Sequence, residues 1–191
     1  MSGRKAKPAA ARSADLAQSH SSTSRHSVIL GIDPSLRGTG YGVIRLGKPN
    51  HAALTHGTVR CPATWEHSRC LLKIAETLRE VVQEYKPTAC AIEGLFFAHN
   101  LQTALIMGEA RGAAMVAAAE GGLEIFEIAA RKMKLAIVGY GAAQKSAVAT
   151  MVQRMLRLDK LPSPDAADAL ALALSFAQET ARYSLAPPKK I

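Results

Sequence analysis

The chain has 191 residues, is 48% hydrophobic and carries a formal net charge of +9. That length suits one domain with a sizeable core, and no apolar run approaches the ~20 residues of a membrane-crossing helix. Cys61, Cys70 and Cys90 have neither the even count of a disulfide framework nor a zinc-type spacing, which fits a reducing compartment, and the basic balance points to a polyanionic partner, nucleic acid foremost.

The charge is uneven. Residues 1–26 hold Arg4, Lys5, Lys7, Arg12 and Arg25 against Asp15 alone, among Ser and Ala. Such a segment reads as a disordered basic tail able to add non-specific DNA affinity. No apolar core follows the basic start, so no secretory signal is expected. A bacterial, cytoplasmic protein is the expectation, with an organellar transit peptide as the minor alternative. The folded domain is expected over 27–182, followed by a short basic tail at 183–191.

Residues 28–33, VILGID, read as a buried strand closed by turn residues. The run ends in Asp33, a carboxylate that burial penalises unless a metal, a cation or backbone donors compensate it. Residues 41–46 and 53–61 read as two further strands in a meander. Residues 66–85 switch to helical period, with Leu71, Ala75, Leu78, Val82 and Tyr85 on one face, and Pro87 ends them. Residues 88–93, TACAIE, form a short strand that again ends in a carboxylate, Glu93. Residues 101–119 are Ala-rich and helical, with Gly121 and Gly122 as the stop. Residues 123–128 make a fifth strand. Residues 144–156 are helical, and a last helix runs from about Pro164 to Thr180. Three strands in meander, then alternating helix and strand, predict an α/β fold with a five-stranded mixed sheet flanked by helices.

The last helix opens with two acids. Asp165 and Asp168 stand three apart, on one helical face, ahead of an unbroken apolar run over 169–174. One acid at a helix N-terminus needs only the dipole to explain it. Two at the mouth of a buried helix suggest a site. Asp33, Glu93, Asp165 and Asp168, without a His or Cys cluster, suit hard cations such as magnesium or manganese. Their natural chemistry is two-metal phosphodiester hydrolysis.

The segments GIDPSLRGTGYGVI, AIEGLFFAHN, ARGAAMVAA, VGYGAAQKSAV and LPSPDAADALALAL, in this order, resemble the RuvC-type Holliday junction resolvases. The likeness spans residues 28–178. It implies an RNase H-like fold, a homodimer, and cutting of four-way DNA junctions by paired symmetrical nicks in recombination and repair. It further implies Mg2+ with Mn2+ as substitute, two ions per active site, and a branch-migration motor of the RuvA and RuvB type as partner. The family's catalytic, metal-binding carboxylates fall on Asp33, Glu93, Asp165 and Asp168. Its DNA contacts fall on Phe96, Asn100, Lys134 and Lys145, with Arg131 and Lys132 adding basic surface. Phe96, beside Phe97, would stack on an unpaired base at the junction centre. Helix 101–119, with Gly108 and Gly112, is the candidate dimer surface.

Other classes share parts of this pattern. Actin-like ATPases and sugar kinases also place Asp and then Gly and Thr after a first strand, but are longer chains with a second half. Another RNase H-like nuclease would differ in substrate. A junction-binding protein without cleavage would not need the four acids.

Overall fold

The computed structural model describes residues 26–94, 100–181 and 188–191. The expectations for the basic tail, for Phe96 and Phe97, and for residues 183–187 fall outside the described residues.

The elements follow the chain in the order β1 (Val28–Asp33), β2 (Gly38–Arg45), β3 (Ala52–Arg60), α1 (His67–Tyr85), β4 (Ala89–Glu93), α2 (Leu101–Glu120), β5 (Glu124–Ile128), α3 (Ala130–Val138), α4 (Lys145–Leu156), α5 (Pro164–Ala181) and β6 (Lys189–Lys190). The strands form one mixed sheet in the order β3-β2-β1-β4-β5-β6. β1, β2 and β3 are antiparallel neighbours, whereas β4 and β5 run parallel to β1.

Alternation along the strands divides the core in two. Leu30, Ile32, Val43, Cys90 and Ile92 face α1 and α2. Ile29, Ile44, Ala89 and Ala91 face α3, α4 and α5. α5 lies closest to the sheet, because the strands beneath it carry glycines. A Cβ at Gly31 would overlap the Ala169 carbonyl, one at Gly40 would overlap the Asp165 carbonyl, and one at Gly42 would stand 2.6 Å from the Leu170 side chain. The absence of side chains lets helix backbone rest on strand backbone. Residues 166–174 of α5 are buried in consequence.

The sheet has six strands where the residue pattern predicts five. The additional one, Lys189–Lys190, pairs antiparallel with β5. Two lysines carry little strand propensity, so carboxylates hold them instead: Lys190 Nζ lies 2.5 Å from Glu124 Oε1 and Lys189 Nζ lies 3.8 Å from Glu127 Oε1. The Ile191 amide donates to the Ile125 carbonyl at 3.0 Å. A further helix, α3, lies where the pattern marks none, and β2 begins three residues before Tyr41, through glycines that disfavour a strand.

Candidate active site

β1 and β4 are parallel neighbours, so their carboxyl ends lie side by side. Asp33 and Glu93 both end there, and strand alternation puts both on the face covered by α5. Asp33 pairs across the ladder with Gly40, the residue whose missing side chain admits the Asp165 carbonyl. The glycine slot therefore sets α5 in register with β1 and brings Asp165 and Asp168 beside the strand ends. After Asp33, the turn is held by buried Thr39, whose hydroxyl donates to the Ser35 carbonyl at 2.6 Å and accepts the Ser35 amide at 3.2 Å. The four acids that the sequence marks thus converge.

Convergence perturbs their ionisation. Burial, then the charge of Glu93 and a hydrogen bond with it, then the charge of Asp168, push the Asp33 carboxyl up to about 8. Burial, with Asp168 adding to it, also raises Glu93. These two acids share a proton rather than carry two charges. Lys145, at the start of α4, is the counter-charge. Its Nζ lies 3.0 Å from Asp168 Oδ2 and 3.8 Å from Asp165 Oδ1. Burial lowers its ammonium's pKa, but the hydrogen bond to Asp168 and the charges of Asp168, Asp33 and Asp165 outweigh that and raise it.

Among the described residues, no three His, Cys, Asp or Glu side chains are already gathered around one point as a closed metal cage. The ammonium of Lys145 and the shared proton offset only part of the acids' negative charge in that arrangement. The donor chemistry nevertheless fits a hard divalent cation. Every donor is a carboxylate oxygen, and Asp168 Oδ1 is buried with no hydrogen-bond partner, a costly state that a cation would relieve.

The basic residues surround this cluster unevenly. The Lys134 charge acts on Glu93, lowering its pKa against the burial effect. Arg131 is exposed at the start of α3 and lies across Gly141, where a Cβ would come within 2.5 Å of its Cγ. Lys132 Nζ is 2.8 Å from Glu179 Oε2 and ties α3 to α5. Asn100 caps α2, its Oδ1 accepting the Thr103 amide at 2.8 Å.

Arg111 on α2 is a participant that sequence reasoning missed. Its Nη2 lies 2.5 Å from Glu127 Oε2, and its Nε donates to the Glu93 carbonyl at 3.3 Å. With only 16% of either side chain exposed, the pair clamps the end of β4, and so Glu93, against β5. A lone arginine inside an Ala-rich helix was the available signal.

A cluster of acids at the carboxyl ends of two parallel strands, closed by a helix carrying two more, defines an α/β protein with a carboxylate-lined site. The model of the family "Crossover junction endodeoxyribonuclease RuvC" matches residues 29–176, and the chain belongs to that family. It is 46% identical over 147 residues to the Legionella pneumophila crossover junction endodeoxyribonuclease RuvC, covering 77% of this chain and 84% of the relative. The relative of the same name from Akkermansia muciniphila is 43% identical over 147 residues, covering 77% and 88%. A solved structure described as T. thermophilus RuvC in complex with Holliday junction substrate superposes with a TM-score of 0.77 at 34% identity, covering 86% of this chain and all of the other.

Proposed function

We propose that this chain is an RNase H-like, metal-dependent endonuclease that resolves four-way DNA junctions by paired symmetrical nicks. Water attacks the phosphodiester and leaves 5′-phosphate and 3′-hydroxyl ends. The observation that carries the reading is the convergence of Asp33, Glu93, Asp165 and Asp168, with an unsatisfied buried oxygen on Asp168, in a member of the RuvC family. The four carboxylates would hold two magnesium ions, with manganese as substitute. The chemistry such ions supply when bound is activation of water as the nucleophile and neutralisation of charge on the leaving oxygen.

The chain's own groups do the remaining work. Lys145, already poised among the acids, and Lys134 beside Glu93 neutralise the phosphate being cut. Arg131 extends the basic surface along the DNA, and Lys132, paired with Glu179, contributes chiefly to the field. By the family resemblance Asn100 would contact the DNA and Phe96 would stack on an unpaired base at the junction centre.

Action on two strands of like polarity calls for two copies related by a two-fold axis. The exposed face of α2 supports such a homodimer. Leu101, Leu105, Gly108, Gly112 and Val116 form one stripe at helical spacing. Leu101, Leu105 and Val116 are 76%, 60% and 51% exposed, and neither glycine has a neighbour within reach of a Cβ. A motor of the RuvA and RuvB type would deliver the junction, in the cytoplasm. Among the described residues no helix is long and apolar enough to cross a membrane.

The test is cutting of a synthetic four-way junction in magnesium, compared with duplex of the same sequence. Asp33→Asn should lose roughly 10³-fold or more of the cutting rate and bind the junction as well as the native chain does, since negative charge is removed near phosphates. Near-native cutting by Asp33→Asn at saturating magnesium would overturn the reading.

A further inference from the structure

Arg60 is the last residue of β3. In the register it stands opposite Gly38 of β2. A Cβ on Gly38 would lie 3.3 Å from Asp165 Oδ2 and 3.8 Å from Thr58 Cγ2. Residues paired across a ladder share a face, so Arg60 leaves the sheet on the side of α5 and the acids. The neighbouring residues of β3 agree. Val59 points into the opposite core, whereas the Thr58 hydroxyl lies 2.9 Å from that of Ser163, just ahead of α5.

β3 runs parallel to β1, being two antiparallel steps away, so Asp33, Glu93 and Arg60 all stand at the same end of the sheet. Two strand spacings and two residues of rise put Arg60 roughly 10–12 Å from Asp33. It is exposed and has no ion pair or side-chain hydrogen bond among the described residues. No carboxylate among the described residues therefore holds it, and the guanidinium fork is available for a bidentate anion. Lys134 lies on the Glu93 side of the cluster and Arg60 on the Asp165 side. A DNA strand crossing the acids from β4 towards β3 would meet a basic residue on each flank.

We infer that Arg60 binds a backbone phosphate of the cleaved strand, roughly one to three nucleotides from the scissile phosphate on the Asp165 side. The inference rests on the proposed role of the four acids. β3 is also an edge strand, where any charge discourages sheet-to-sheet pairing. That role would require no phosphate.

The experiment combines Arg60→Ala and Arg60→Lys with a four-way junction in which single phosphates on either side of the mapped cut are replaced, one at a time, by uncharged methylphosphonates. Binding is measured in calcium across a salt series, and cutting in magnesium. Arg60→Ala should melt at the native temperature, weaken junction binding roughly fivefold and lower the slope of log affinity against log salt by about 1. Arg60→Lys should restore the slope. One methylphosphonate position should weaken binding by the native chain and have no effect on Arg60→Ala. Equal sensitivity of both chains at every position, with an unchanged salt slope, would overturn the assignment of Arg60. Failure of the native chain to cut the unmodified junction would instead overturn the reading of the acids.

Discussion

Lys145 Nζ lies 3.0 Å from Asp168 Oδ2, so a cation from the protein itself stands where the acids would recruit one from solution. The lysine keeps the cluster from self-repulsion, yet it competes with any divalent ion for the same oxygens. The two roles separate on mutation. Lys145→Met should tighten manganese binding, measured by calorimetry, because a competitor is gone. It should also slow junction cutting roughly 10²-fold, because positive charge at the developing transition state is lost. Weaker metal binding by Lys145→Met would show that the lysine supports the ions rather than standing in for them.

The raised carboxyls bear on stability without metal. The folded chain keeps a proton on Asp33 up to about 8, whereas the unfolded chain releases it near 3.8. Between those values the native state binds more protons, so its stability is fullest at the acid end and declines as pH rises, at up to roughly 1.4 kcal/mol per unit for one proton. Glu93, raised by burial, adds in the same direction. The melting temperature in chelator should therefore fall from pH 5.5 to pH 8 more steeply for the native chain than for Asp33→Asn. Magnesium should restore more of it at pH 8 than at pH 5.5. Parallel pH profiles for the two chains would refute the shared proton.

Two kinds of glycine should respond in opposite ways. Gly40→Ala places a methyl against the Asp165 carbonyl, so it should cost about 1–3 kcal/mol in denaturant unfolding and reduce cutting further than the stability loss explains, as α5 is displaced. Gly112→Ala on α2 meets open space and should raise the stability of the isolated subunit by roughly 0.5–1 kcal/mol.

Leu105→Asp tests the α2 stripe. The side chain is 60% exposed, so the change should leave the fold intact but give a single-subunit mass by sedimentation equilibrium. Nicks on the two strands of a junction should then become uncoupled. A variant that still sediments as a dimer would move the interface elsewhere.

Much of the site is legible in the residues because each acid interrupts a strong local signal. Asp33 and Glu93 end apolar strand runs, and Asp165 and Asp168 open a helix whose residues 169–174 are unbroken apolar. Their convergence is not legible locally, since it depends on β1 and β4 being parallel neighbours and on a glycine opposite Asp33. The same glycines hide the start of β2, because a strand that exists to admit a helix carries the residues strands avoid. α3 is masked by Arg131, Lys132 and Lys134, which draw the reading towards a basic surface, although Met133 and Ile137 on one face and Gly139 after them mark a helix. β6 is held by Glu124 and Glu127 rather than by its own propensity. The clamp of Arg111 on the Glu93 carbonyl needs three successive elements, β4, α2 and β5, to fold back on one another, which no local pattern announces.

Gly31, Gly40 and Gly42 carry no chemistry, yet they fix where two of the four acids stand. In a saturating mutational scan scored by function, these positions should tolerate as few replacements as the acids, and for a different reason. At Asp168 a replacement is rejected for what it cannot donate; at Gly40 it is rejected for the room it takes. Attempts to re-engineer the site for another metal or substrate would therefore gain little by varying its ligands alone. The spacing of the acids is written in hydrogen atoms on the floor of the sheet.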